Sequence, residues 1–287
     1  QEIGKFIISP KAISAITGIT ALNREYNGLT SAALNYDAAV FTGMIEGDSL
    51  TASATGAFED KNVGENKTVN ISNIVLGGTD AGNYTLSSNT TTGTGTITKK
   101  ALSINGTTAE DRSYNGTTDV TETLGTLSGF IGSETVSATA VGTFASKDVG
   151  TRTVTFVYTL VDGNGGLASN YSLANTTDDA QISKKEISYN FGNSITAGRE
   201  NGSEYLLNNL FSKKTLFSEE NASLIQDEDF TFKYNDNTVT GFTTQGTYKN
   251  ISIGLLSNNF ILASNNTNGT VIIDEKYVAP TVPPVIV

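Results

Sequence analysis

A chain of 287 residues with a formal net charge of −11 and neither cysteine, histidine nor tryptophan is barred from several chemistries. It can form no disulfide and no thiolate metal site, and its 18 Lys and Arg residues are too scattered to make a phosphate-binding surface for nucleic acid. Apolar residues make up 37 % of the chain and alternate with Ser, Thr, Asn and Gly, a pattern suited to thin sheets with wet outer faces.

In chain order, the opening segment Lys5 to Ser14 matches Thr94 to Ser103 and Asp179 to Ser188. Residues 1–10 are therefore expected to be the last strand of a preceding repeat, with the chain starting inside a longer protein. No signal peptide is evident and no run of about 18 apolar residues crosses the chain, so no membrane insertion is expected.

The first repeat spans 11–98. Tyr26-Asn27-Gly28 reads as a tight turn, because Asn-Gly supplies positive φ. Leu50, Ala52, Ala54, Gly56 and Phe58 alternate with polar or small residues as in a strand with one buried face. A turn follows over Asp60 to Gly64, then a strand through Val69, Ile71 and Ile74-Val75-Leu76 that Gly77-Gly78 breaks. Asn83-Tyr84-Thr85-Leu86 leads to the closing strand at Thr96 to Thr98.

The second repeat, 99–183, returns the same landmarks in the same order at offsets of 85 to 88 residues: Tyr114-Asn115-Gly116, Phe144, Lys147-Asp148-Val149-Gly150, Asn170-Tyr171-Ser172-Leu173 and Ile182-Ser183-Lys184-Lys185. In the first repeat the corresponding positions include Phe58, Lys61-Asn62-Val63-Gly64, Tyr84 and Ile97. A third, diverged repeat over 184–275 has no Tyr-Asn-Gly. It contains Leu206 to Leu216, where a helical turn fits, and retains alternating Phe230, Phe232 and Tyr234, Gly246-Thr247-Tyr248, and Asn258-Asn259-Phe260 in place of the Asn-Tyr step. Residues 276–287 read as a Pro-rich linker.

At each junction two apolar residues stand five apart: Ile8 and Ile13, Ile97 and Leu102, Ile182 and Ile187, and less clearly Ile272 and Tyr277. Five is odd, so on one continuous strand they face opposite sides. The expectation is a strand that closes one domain and opens the next with almost no linker. The fold class expected is all-β, a tandem array of three small antiparallel β domains, each a sandwich or β-grasp-like sheet, forming an extended rod. Such a rod of about 110 Å implies a radius of gyration of about 30 Å, against about 19 Å for one compact domain of this length.

Tyr-Asn-Gly-Thr-Thr at 114 to 118, the Phe-x-x-Lys-x-Val-Gly step and Asn-Tyr-x-Leu followed by Ile-Thr-Lys-Lys resemble the YDG repeat, with Asn27 and Asn115 in place of its central Asp. The third repeat is similar to MBG-type repeats, which often follow YDG repeats. The resemblance implies a non-enzymatic stalk or spacer of a large bacterial surface adhesin, of the kind found among filamentous-haemagglutinin-like exoproteins of two-partner secretion. It implies a secreted, cell-surface location and support of cell attachment or biofilm. The alternative is that one repeat is itself a glycan- or receptor-binding module. Partners are then neighbouring repeats and, on the alternative, a host or matrix glycan or protein.

The residues offer little catalytic chemistry. Without His or Cys the general route to hydrolysis is a pair of carboxylates, and Glu219-Glu220, Asp227-Glu228-Asp229 and Asp178-Asp179 read as polar, turn-like stretches with nothing to separate their pKa values. No cofactor is expected. Calcium is the one metal considered, on Asp227, Asp229 and Asp236, although no spacing matches a calcium loop. Tyr26 and Tyr114 read as rings packed on the sheet with the hydroxyl tied to backbone. Lys61 and Lys147 recur and raise the option of an isopeptide bond to Asn beside a buried acid, though no acid is fixed by the pattern. Of 28 asparagines, 13 lie in Asn-x-Ser/Thr, more than chance gives, which makes glycosylation of the native protein a question for peptide mass mapping.

Overall fold

The computed structural model describes residues 7–192, 194–199, 205–242 and 246–275. The proposed linker 276–287, Tyr277 and residues 1–6 lie outside them. The described chain is strand after strand, with short helical turns, as alternating apolar residues and abundant Thr and Val dictate. It is an all-β fold of several small domains.

By contacts the chain falls into two units that cut across the sequence period. The first holds residues 1–108, 124–141 and 156–176, and the second 109–123, 142–155 and 177–287. The second repeat thus gives part of itself to each unit.

In the first unit, a five-stranded sheet runs in the order Arg24–Glu25, Thr91–Thr98, Gly64–Gly77, Thr51–Phe58, Ser31–Ala32. The alternation predicted over 50 to 58 ends on buried Gly56 and Phe58. Gly64–Gly77 is longer than its apolar parity suggests. Val69 and Ile71 are buried on one parity, Ile74 on the other, and Val75 is exposed. Asn73 at φ 55 is the cause, since the register shifts between Ser53 and Thr55 opposite it, a β-bulge that turns the following residues over.

Parallel pairs recur where the sequence period gave no notice of them. Lys11–Ile13 lies parallel to Tyr84–Leu86, and Arg24–Glu25 to Ile97–Thr98. From the second repeat, Lys100–Asn105 lies between Thr126–Ser128 and, in parallel, Tyr171–Leu173. Ile97 and Leu102 are buried on either side of Lys99, which separates Thr91–Thr98 from Lys100–Asn105, so the one continuous strand expected here is two strands, and the odd spacing does not send its two apolar residues into different cores. Both belong with Ile13, Tyr26, Phe58 and Tyr171 to one apolar core.

In the second unit, Arg112–Ser113 lies parallel to Ile182–Ser183, and Lys185–Ile187 to Phe260–Leu262. A sheet in the order Ile195–Arg199, Gly269–Glu275, Gly246–Leu255, Phe230–Tyr234, Asn237–Val239 carries the third repeat. Its core is aromatic, with Phe191 edge-on to Phe211 at 4.8 Å and Phe230 edge-on to Phe217 at 5.4 Å. The helical turn expected near 206 to 216 is two turns, Leu207–Leu210 and Lys213–Leu216.

A further helix, Glu219–Leu224, replaces what the sequence suggests is a loop. Ser218 caps it by accepting a hydrogen bond from the Asn221 N–H, and Glu219 and Glu220 sit in its first turn, where the helix dipole favours them. Asp178 and Asp179 lie on the strand Thr176–Ser183 rather than in a turn, so as neighbours they face opposite sides and cannot work as a pair.

Candidate functional site at the repeat junctions

Each Tyr-Asn-Gly turn is held by an arginine two residues before its tyrosine. Arg24 donates from Nη1 to Asn27 Oδ1 and the Glu25 carbonyl, and from Nη2 to the Leu29 carbonyl. Asn27 Oδ1 also accepts from the Leu29 N–H at 3.0 Å. The second copy repeats this: Arg112 donates to Asn115 and to the Thr117 and Ser113 carbonyls, and Asn115 accepts from the Thr117 N–H at 3.0 Å. The guanidinium of Arg24 lies over Phe58 at 5.3 Å and that of Arg112 over Phe144 at 5.0 Å, which accounts for the recurring phenylalanine. Burial lowers the pKa of both arginines. Gly28 and Gly116 adopt φ of +77° and +80°, the positive φ that Asn-Gly announces. The Tyr26 N–H donates to the Thr98 carbonyl and the Tyr114 N–H to that of Ser183, pinning each turn to the closing strand of its own repeat.

The far side of the turn meets the next repeat. In the first unit the ring of Tyr26, 1 % exposed, stands edge-on to Tyr171 at 5.6 Å. The Tyr26 hydroxyl donates to Glu134 at 2.8 Å, the Tyr171 hydroxyl donates to Glu134 Oε2 at 2.8 Å, and Lys61 Nζ reaches Glu134 Oε1 at 2.5 Å. The expectation that the Tyr26 hydroxyl is tied to backbone is therefore corrected: a carboxylate 108 positions away takes it. Tyr171 also accepts from the Ile131 N–H at 3.2 Å.

The charges follow from this packing. Burial opposes ionisation of Glu134, yet the bonds from Lys61, Tyr171 and Tyr26 prevail and hold its carboxyl below the usual range. Burial first, then Glu134, pushes the Tyr26 hydroxyl up, and the Glu134 hydrogen bond raises Lys61.

Beside this network Asn170, 1 % exposed, accepts from the Val63 N–H at 2.9 Å and donates to Asn62 Oδ1 at 3.0 Å. In the second unit Asn259 accepts from the Val149 N–H at 3.0 Å and donates to Asp148 Oδ1 at 3.0 Å. Tyr114 stands edge-on to Phe260 at 5.3 Å. The two junctions share one geometry, in which the Asn-aromatic step of one repeat grips both turns of the repeat before it. They differ in polarity, because Phe260 has no hydroxyl and Tyr114 has no hydroxyl hydrogen bond among the described residues.

The other expected positions are placed as follows. Lys147 is exposed, unlike Lys61, which is held by Glu134. Gly150 adopts φ +126°, whereas at Gly64 an added Cβ would meet Lys67 Cγ at 3.1 Å. Tyr84 is buried, and its hydroxyl donates to Asp48 and accepts from the Ile45 N–H at 2.9 Å. Asp227 and Asp229 form a 3-10 turn in which Asp229 accepts from the Gln226 N–H, and Asp236 sits at φ 64° in the hairpin turn with Asn235. Among the described residues no group of three or more acidic side chains gathers in a way that could hold a metal ion.

The recurring residues thus define a tandem all-β repeat protein whose motif is a joint between successive repeats. The YDG domain model matches residues 9–92 and again 98–179, more than half of the chain, and the chain belongs to the YDG domain family. No curated protein matches it. Among solved structures it is similar to Drosophila N-cadherin EC1-4, at 9 % identity and TM-score 0.22 over 88 % of this chain and 73 % of that one. It is also similar to Drosophila N-cadherin EC1-3, at 9 % identity and TM-score 0.23 over 90 % and 98 %. At those scores neither likeness carries an argument.

Proposed function

We propose that this chain is a non-enzymatic structural spacer in a secreted bacterial surface adhesin, projecting another part of that protein in support of attachment or biofilm. One observation supports the reading above others: at the joint between the first and second repeats, side chains of the recurring motifs are consumed in holding the repeats together. Tyr26, Lys61, Asn170 and Tyr171 find their partners within the chain, at 2.5 to 3.0 Å. A side chain so engaged is unavailable to a ligand without dismantling the joint. Of the acidic clusters that hydrolysis could use, Asp178 and Asp179 are on opposite strand faces, Glu220 is paired with Lys185 at 2.6 Å, and Asp229 accepts from the Gln226 N–H. The test is binding of the purified chain to a glycan array and to whole host cells. A spacer gives blank arrays and no retention on cells, whereas saturable binding to a defined glycan overturns the reading in favour of a lectin-like repeat.

A further inference from the structure

The first repeat carries a grip that, among the described residues, holds no turn. In the second repeat, the face that receives the preceding turns is made of Ile131, Glu134, Asn170 and Tyr171. Ile131 touches the turn itself, since a Cβ added to Gly28 would stand 2.9 Å from its Cγ2. The first repeat has Ile45, Asp48, Asn83 and Tyr84 at the corresponding positions, 86 or 87 residues earlier. The local bonding is the same: Tyr84 donates to Asp48 as Tyr171 does to Glu134, and accepts from the Ile45 N–H as Tyr171 does from Ile131. What differs is the occupancy. Glu134 has three donors and, among the described residues, Asp48 has the Tyr84 hydroxyl alone on its carboxylate. Asn170 is buried and doubly bonded, while Asn83 is exposed and its side chain has no hydrogen bond among the described residues.

Apolar exposure points the same way. Ile45 is 50 % exposed, and Ile8 is 96 % exposed although its counterparts Ile97 and Ile182 are fully buried in the closing strands of their repeats. Ile8 and Ile45 line one cavity of about 280 Å³ with Lys11, Asp48, Asn83 and Tyr84.

We infer that this face is the docking site for the turn-bearing end of a further YDG repeat, one that presents a tyrosine hydroxyl and a lysine ammonium to Asp48 and a backbone N–H to Asn83. Complementarity fixes the occupant. Among the described residues Asp48 offers a carboxylate with one donor, Asn83 an amide with no hydrogen bond, and Ile45 and Ile8 exposed apolar surface, and the Tyr-Asn-Gly and Lys-x-Val-Gly turns supply what each lacks at the next joint along the chain. The inference stands on this joint geometry and not on the adhesive role, so either can fail alone.

The test places a copy of residues 11–96 ahead of Ile8, so that Ile8 takes the place of Ile97, and follows amide hydrogen exchange in the full chain. Asn83→Ala is expected to leave the exchange of the 287-residue chain unchanged. In the extended chain it is expected to speed exchange of the added copy's Val63-equivalent N–H about tenfold, as Asn170→Ala should do for Val63 itself. An added copy that folds, but whose Val63-equivalent N–H exchanges at the same rate with Asn or Ala at 83, overturns the inference. So does an added copy that stays unfolded, because the same sequence folds against its following repeat in this chain.

Discussion

Tyr26→Phe deletes one oxygen and leaves the ring edge-on to Tyr171, so it isolates the bond to Glu134 from the packing around it. A hydrogen bond to a charged acceptor contributes about 1.5–3 kcal/mol net. The lower part of that range applies here, because Glu134 keeps Lys61 and Tyr171 and is not left bare. Lys61 is 40 % exposed in its side chain, so its own ion pair is worth at most about 1 kcal/mol and does not mask the effect. The expected loss is about 2 kcal/mol, or about 4–8 °C in Tm for a cooperative unit of this size, read by urea and thermal unfolding. Tyr114→Phe is the matched control. It removes the equivalent oxygen from a joint whose partner is Phe260, and should change stability by less than about 0.5 kcal/mol. A cycle of Tyr26→Phe with Glu134→Gln should show coupling of about 1 kcal/mol or more. Equal losses for the two tyrosines, or additivity in the cycle, would refute the assignment of Glu134 as the centre of the joint.

Three further outcomes follow from the same geometry. Asn27→Asp puts a carboxylate against the Arg24 guanidinium and should stabilise the turn by up to about 1 kcal/mol at low salt, fading as salt is raised; an unchanged or lowered midpoint in low-salt urea denaturation contradicts the arginine clamp. Gly28→Ala meets both a φ of +77° and Ile131 Cγ2 at 2.9 Å, and should cost more than Gly47→Ala, whose φ is +94° in open space and which should lose only the backbone term of about 1–2 kcal/mol. For pH, the folded Glu134 carboxyl sits below its ordinary value of about 4.3, so its contribution is present above that value and is lost as pH falls through the depressed one. The stability gap between the native chain and Glu134→Gln, measured by denaturation from about pH 7 downward, should begin to narrow once pH falls below about 4.3, and a constant gap would mean that Glu134 is not held ionised.

Much of the array was legible because it repeats. The period, the strand over 51 to 58 and the positive φ at Gly28 and Gly116 all follow from residue type and parity. The bulge at Asn73 was not, since Asn in a left-handed conformation inside a strand gives no signal beyond an apolar run that changes parity, Ile71 then Ile74. The joint itself was half legible. Arg24 and Arg112 recur at the same spacing as the tyrosines and could have been found by extending the motif two residues back. Glu134 was harder to find, because it recurs only as an acid, Asp48 three residues after Ile45 against Glu134 three after Ile131, and two of its partners, Lys61 and Tyr26, lie 73 and 108 residues away. Long-range pairs of that kind are decided by packing, not by local pattern.

The two joints also separate what is common to the array from what is particular to one pair of repeats. At the first, a tyrosine hydroxyl and a lysine meet a carboxylate that has already spent part of its capacity on Tyr171. At the second, Tyr114 meets Phe260, and an added Cβ at Gly116 would meet Leu224 at 3.3 Å, so the surface receiving the turn is apolar where the first is charged. The grip of asparagine on the Val63 or Val149 N–H is common to both and carries no preference. The remainder differs. Both repeats present a tyrosine and a lysine at these turns, Tyr26 and Lys61 or Tyr114 and Lys147, so a receiving face built on a carboxylate such as Glu134 can bond either, whereas one built on Phe260 and Leu224 offers the tyrosine ring a packing surface and its hydroxyl no acceptor. The hydroxyl therefore contributes at the charged joint and not at the apolar one, while a shared backbone contact supplies attraction at both.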